Sequence, residues 1–173
     1  ARLGMDRDSY AQSMAELWEA FAGVSLTREH AQFARKWTAE ELLADDHGNY
    51  RLNDPYRRWM VAQDAVELGA AVILTTAGHA EELGIAEDKI IYLHSGAGAS
   101  VPLMSLQDDL SVSPAMQVAF PKALELAEVE AGDLGPIDIY SCFPVAVSLA
   151  MDALGSPDRS LASYTLTGGL SFF

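Results

Sequence analysis

The stretch that most constrains this chain is PVAVSLAMDAL, residues 144 to 154, where only Ser148 and Asp152 are polar. Pro144 suits the first position of a helix: its missing N–H has no intrahelical partner there, and its fixed φ is already helical. A helix lying on one face of a sheet keeps a polar stripe toward water. This one has almost none, so its pattern predicts a helix covered on two sides, between two layers. A chain of 173 residues ordinarily forms one domain and seldom supplies so many layers. The chain is therefore expected to belong to a longer protein, as its abrupt apolar ending TLTGGLSFF also implies.

Around that helix, strand and helix patterns alternate. GAAVILTT (69–76) reads as a strand and AGHAEELG (77–84) as a short helix closed by Gly84. DKIIYLH (88–94) reads as a second strand, followed by the glycine-rich loop SGAGAS (95–100). SPAMQVAFPKALELAEV (113–129) has Ser113 as N-cap and Pro114 at the first helical position. Pro121 breaks that run and predicts a kink or two short helices. IDIYSC (137–142) is the third predicted strand and ASYTLT (162–167) the fourth. The alternation specifies an α/β class with a layered, mixed sheet and helices on both faces.

Residues 1–60 read differently, as a helical and loop segment leading into the core of 61–173. Tyr10, Met14, Leu17, Trp18 and Phe21 recur at helical spacing over residues 8 to 22, with Gly23 placed to end the helix. TAEELLA (38–44) pairs Thr38 with Glu41 as a capping box, and DDHGNYRLNDPY (45–56) reads as loop.

Charge and composition exclude several functions. A net charge of −14 argues against a nucleic-acid partner, which needs a basic stripe. The local pairs Arg35–Lys36 and Arg57–Arg58 read as solvated surface, with an anionic ligand as the minority alternative. One cysteine excludes an internal disulfide and a cysteine-rich zinc site, and it fits a reducing, cytoplasmic setting. No run approaches the roughly 20 apolar residues of a membrane span, and the polar start ARLGMDRDSYAQ is not a signal peptide. His30 and His47 sit in polar sequence, His79 on an exposed turn and His94 at a strand end. No pair has metal-ligand spacing, so no metal is expected. SGAGAS lacks the dinucleotide-loop spacing.

The single cysteine, Cys142, has two readings. Free cysteine is a common small core residue. Yet Cys142 lies at the carboxyl end of a strand, where open α/β sheets place ligands. It also faces the start of a helix, whose free N–H groups favour a thiolate. On the residues alone, packing and chemistry both stand.

Three motifs in order carry a resemblance. MVAQDAVELGAAVILTTAGHAEELGI (60–85), IDIYSCFPVAVSLAMDALG (137–155) and YTLTGGLSFF (164–173) resemble the second half of the thiolase superfamily. The match is closest to the acetyl-CoA acetyltransferase branch related to sterol-carrier-protein thiolases. The resemblance implies a partial, C-terminal-half thiolase-like layered fold, with the apolar helix sandwiched between sheets. It implies an acyl-CoA acyltransferase that makes or breaks a carbon–carbon bond next to a thioester. Acyl-CoA and coenzyme A are then the partners, no separate cofactor is needed, and a homodimer or larger oligomer is expected. In that branch the loop matching YSCF reads His-Asp-Cys-Phe and its cysteine is the acid/base, so Cys142 inherits that role and Phe143 is retained. Ser141 replaces the Asp, and Tyr140 stands where a His or Asn would help hold the oxyanion water. Phe143, Gly168 and Gly169 are the implied substrate-contacting positions. The acylated nucleophile and the histidine loop of the family fall outside these residues, which are not expected to complete the reaction alone. Tyr140 also resembles thiolase-like aldolases acting on steroid side chains, which leaves a retro-aldol lyase open, as well as a non-catalytic acyl-CoA-binding subunit.

Overall fold

A computed structural model describes residues 4–46, 48–155 and 159–173 of the chain; His47 lies outside the described residues. The longest element is α1 (Arg7–Ser25), started by Asp6, whose carboxylate accepts the Ser9 N–H at 2.8 Å. Its apolar stripe is buried: Met14, Leu17, Trp18 and Phe21 are almost wholly shielded, and the Trp18 and Phe21 rings stack with centroids 5.1 Å apart. Gly23 does not end the helix, which runs on to Ser25. That last turn is held by tertiary contact, since Ser25 sits directly against Gly168.

Helix α2 (Ala39–Leu43) has the expected capping box, with Glu41 N–H donating to Thr38 Oγ1 at 3.2 Å and Thr38 N–H to Glu41 Oε2 at 3.0 Å. The stretch read as loop contains a small antiparallel hairpin, β1 (Arg51–Asn53) and β2 (Tyr56–Arg57). Asn49, fully buried, organises it by donating to the carbonyls of Leu42, Glu41 and Ala44 while accepting from Trp59 N–H at 3.0 Å. The arginines of the two basic pairs are engaged within the chain. Arg35 bridges Glu41 at 3.1 Å and lies 3.9 Å over the Trp37 ring. Arg57 bridges Asp45 at 2.8 Å, and Arg58 lies over Trp59 at 4.9 Å.

The core joins this N-terminal part to the last third of the chain. Trp37, Leu42, Met60, Val147, Tyr164 and Phe172 complete the cluster built on α1. Polar contacts also link the two stretches: Ser171 Oγ–H donates to Val61 O at 2.9 Å and accepts from Trp18 Nε1 at 2.9 Å.

The middle of the chain is different. Helix α3 (Ala77–Glu82) forms as expected, capped by Thr76 and closed by Gly84 at φ +67°. Helix α4 (Pro114–Ala127) starts at Ser113 and runs through Pro121 as one element, not two. Gln117, whose carbonyl would have met the missing Pro121 N–H, is exposed, so water can take that acceptor and the break costs little. The four predicted strands do not form a ladder. Residues 69–76, 90–94 and 137–141 take neither helix nor ladder, while Glu87–Lys89 and Leu161–Tyr164 are short 3₁₀ helices. The paired sheet among the described residues is β1–β2 alone. A strand needs hydrogen-bonding neighbours as well as propensity, and Val72 and Ile73, each 94% exposed, join no ladder among the described residues.

Helix α5 (Pro144–Leu154) ends in a left-handed Gly155. Pro144, Val147 and Ala150 are buried along one stripe, and its remaining apolar flank is half-buried. Helix α5 packs against both α1 and α4, yet only that one stripe is fully buried, so the expected full enclosure is not reached among the described residues. The result is a partial α/β fold of helices, extended segments and a small sheet. Among the described residues no helix is long and apolar enough to cross a membrane.

Candidate functional site

The extended segment 137–142 sets the geometry through its period of two. Ile137 and Ile139 pack against the core cluster, Tyr140 is 71% exposed, and Ser141 points back into the protein at 1% exposure. Tyr140 and Cys142 therefore share a side. Cys142 Sγ and Tyr140 Oη are in hydrogen-bond contact at 2.6 Å, the phenol donating when the sulfur is ionised and accepting when it is a thiol. The sulfur holds the phenol above its ordinary range, first through that hydrogen bond, then through repulsion between the two ionised forms, and last through desolvation. A raised phenol keeps its proton, so Tyr140 retains an O–H to donate.

The chain then turns into α5. Phe143 occupies the N-cap position in extended conformation with no side-chain cap bond, and its ring lies 5.3 Å from Tyr56 of β2 at a 49° tilt. Burial holds the Tyr56 phenol above its usual value, and the charge of Tyr10 adds a little. The Cys142 carbonyl accepts the Ala62 N–H at 2.9 Å, and Gln63 N–H donates to Leu170 O at 3.0 Å. Cys142 is thus held between the segment after the hairpin and the start of a helix.

Gly168 and Gly169 lie at φ +104° and +77° and are both buried. A Cβ on Gly168 would meet Ser25 at 2.5 Å, and one on Gly169 would meet Ser141 Oγ at 2.8 Å and Phe21 at 2.9 Å. Their visible work is close approach to α1 and to the residue before Cys142. Beside Tyr140 an apolar groove of about 450 Å³ is lined by Met116, Phe120, Leu134, Ile137 and Leu154.

The structure thus brings Tyr140, Cys142 and Phe143 together and sets Gly169 behind them through Ser141, with Gly168 against Ser25 of α1. His94 is exposed on its extended segment, His30 is exposed, and His79 pairs with Glu82 at 3.1 Å. Among the described residues no three His, Cys, Asp or Glu side chains group as a metal site. Sequence reasoning missed Tyr56, which walls Phe143, and also Asp138 and Thr165. Asp138 Oδ1 accepts the Leu166 N–H at 2.8 Å and the Thr165 hydroxyl at 3.3 Å, tying the site segment to the glycine turn. The polar Asp138 inside an apolar strand pattern was the one available signal.

No protein-family model matches the chain. It is 25% identical over 127 residues to the acetyl-CoA acetyltransferase of Methanocaldococcus jannaschii, which covers 73% of this chain and 31% of that protein. It superposes with a TM-score of 0.86 on the crystal structure of a monomeric SCP2-thiolase like protein type 1 from Mycobacterium smegmatis, at 32% identity. That likeness covers 99% of this chain and 38% of the other. The chain therefore spans between three and four tenths of the length of these two relatives.

Proposed function

We propose, from the chain's place in the thiolase superfamily and its SCP2-type branch, that it forms part of an acyl-CoA acyltransferase. The reaction is thioester-dependent carbon–carbon bond formation or its thiolytic reversal, with Cys142 as the acid/base. In the condensing direction the Cys142 sulfur, as thiolate, takes a proton from the carbon next to an acyl-CoA thioester. In the cleaving direction the thiol returns that proton to the departing carbon. Tyr140 supplies a hydrogen-bond donor beside the thioester oxygen, where negative charge develops. The chain's single cysteine cannot both carry an acyl group and move this proton, so the acyl-carrying nucleophile is assigned to the rest of a longer protein. Coenzyme A thioesters are the substrates and no further cofactor is invoked. The setting is cytoplasmic, without membrane or nucleic-acid partners. Phe143 is the proposed contact to substrate, and the apolar groove beside Tyr140 is the space suited to an acyl chain. Assembly as a homodimer or larger oligomer is part of the proposal, set against a solved relative described as monomeric; sedimentation of the longer protein decides it.

The observation that carries this reading is the Cys142–Tyr140 contact on one side of a segment that ends at a helix start. The test is Cys142→Ala in the full-length protein. The expected outcome is near-normal folding with turnover of acetoacetyl-CoA lowered about 10²–10⁴-fold, the usual worth of a positioned proton-transfer group. Full turnover would return Cys142 to a packing role. A retro-aldol lyase on the same scaffold is the second reading, favoured by the exposed phenol held in its protonated form. Tyr140→Phe would then abolish cleavage of an aldol substrate more completely than Cys142→Ala. Acyl-CoA binding with turnover absent in the unsubstituted protein would identify a non-catalytic binding subunit.

A further inference from the structure

Three contacts tie the segment that carries Tyr140 and Cys142 to the turn at residues 164–169. Ile139 N–H donates to Tyr164 O at 3.1 Å. Asp138 Oδ1 accepts the Leu166 N–H at 2.8 Å and the Thr165 hydroxyl at 3.3 Å. The Thr165 oxygen, 4% exposed as a residue, accepts in turn from Gly168 N–H at 3.0 Å and Thr167 N–H at 3.3 Å. The turn so held presses Gly169 against Ser141, whose oxygen lies 2.8 Å from where a Cβ on that glycine would stand. Ser141 directly precedes Cys142. A chain of short contacts therefore runs from the Asp138 carboxylate through Thr165 and the glycine turn back to the neighbour of the thiol.

We infer that Asp138 is a positioning residue for the Tyr140–Cys142 pair, acting through Thr165 and the Gly168–Gly169 turn. The inference rests on the acid/base reading of Cys142 for its effect on catalysis, but not for its effect on the thiol. Asp138 shares the strand side of Tyr140 by the period of two, and its single oxygen collects two donors from the turn. Without that acceptor the Leu166 N–H, on a residue 43% exposed, turns to water. The Thr165 hydroxyl loses its partner, and the turn is free to move away from Ser141. The 2.6 Å contact between Cys142 and Tyr140 then loosens.

The test uses the full-length protein and reads Cys142 alkylation by iodoacetamide at the peptide level, at fixed pH, for Asp138→Ala and Asp138→Asn. In Asp138→Ala the alkylation rate is expected to rise about fivefold, the factor corresponding to one net hydrogen bond. Asp138→Asn keeps an oxygen acceptor and is expected to restore the wild-type rate. Turnover should show the same pattern, with kcat about 10- to 100-fold lower for Asp138→Ala and KM little changed. A purely structural role lowers the melting temperature without moving alkylation or kcat per folded molecule. An Asp138→Ala protein that folds but shows unchanged or slower alkylation overturns the inference. If Asp138→Ala fails to fold, Thr165→Val, which keeps the shape and removes the linking hydroxyl, must show the same rise or the inference falls. Alkylation needs no turnover, so the two readings separate: full activity in Cys142→Ala sinks the acid/base role alone. Wild-type alkylation in Asp138→Ala beside an inactive Cys142→Ala sinks the positioning role alone.

Discussion

Two parts of this molecule both carry apolar runs and meet opposite fates. In the compact part, α1, α2, the β1–β2 hairpin, α5 and the residues around Tyr164 and Phe172 close on one another. Trp18, Phe21 and Phe172 are fully shielded there. In the open part, residues 69–106, Val72, Ile73 and Ile91 are at least 94% exposed, and Leu93 and Leu103 at least 75%. The difference is one of partners rather than of hydrophobicity. A helix satisfies its own backbone and needs only a surface to lie on, whereas an extended segment needs hydrogen-bonding neighbours on its edges and cover on both faces. The site lies where the two regimes meet, on an extended segment anchored by the compact part through Ile139, Cys142 O and Asp138.

The sharpest way to break this comparison is to truncate one large side chain in each part. Trp18→Ala removes a fully buried ring, its stack on Phe21 and its hydrogen bond to Ser171, and is expected to cost about 3–5 kcal/mol. Ile73→Ala in the same 173-residue chain is expected to stay within about 0.5 kcal/mol, as surface substitutions do. Urea unfolding of both variants gives the two numbers. Repeating Ile73→Ala in the proposed longer protein sharpens the contrast: if other residues cover that strand, the cost rises to about 2–5 kcal/mol. Equal costs for Ile73→Ala in the two settings would mean the segment stays uncovered in both.

The glycines offer a second contrast. Gly169→Ala places a methyl 2.8 Å from Ser141 Oγ and 2.9 Å from Phe21, at a φ of +77°. Overpacking of this kind costs about 1–3 kcal/mol, and here the unfavourable backbone conformation adds to it. Gly98→Ala, with no atom within 4 Å and no positive φ, is expected to be neutral or to stabilise by up to about 1 kcal/mol by restricting the unfolded chain. Calorimetric melting of the pair measures both, and a harmless Gly169→Ala would mean the turn is not held against α1.

The smallest effect is acid sensitivity. Asp6 is held below its ordinary value mainly by the Ser9 N–H, Glu41 mainly by the Thr38 N–H, and Asp54 mainly by the Arg7 guanidinium. Each carboxylate is the more acidic in the folded state. Its contribution is therefore complete above the unfolded value of about 4 and is lost as pH falls through the lower folded value. Helical signal from the starts of α1 and α2 should fray below about pH 4 before the buried stripe of α1 opens. Amide exchange followed by residue, at stepped pH, tests that order. Simultaneous loss of cap and core would show that the caps do not act locally.

Much of the helical architecture was legible because its signals are short-range. Thr38 with Glu41, Ser113 with Pro114, and Pro144 each mark a helix start using groups within a single turn. Cys142 stood out from its position before a proline-started helix, whereas Tyr140 entered only through the resemblance to the thiolase superfamily. Gly23 misled because its local preference for ending a helix is outweighed by Ser25 seated on Gly168, far away in sequence. The hairpin hid inside a polar stretch whose turn residues were clear but whose pairing was not. The link from Asp138 to Thr165 spans 27 positions, and no local pattern announces it.

Composition, periodicity and capping residues were enough to specify a chain of alternating helical and extended segments, with its single thiol placed before a proline-started helix. Tertiary structure alone decided which apolar segments found cover and which glycines became contact points. It also decided which carboxylate reached across to hold the turn behind the thiol. The division follows the range of the forces. Backbone dihedral preferences and caps act within a few residues and are written in order along the chain, whereas burial and strand pairing depend on which distant segments fill the neighbouring space.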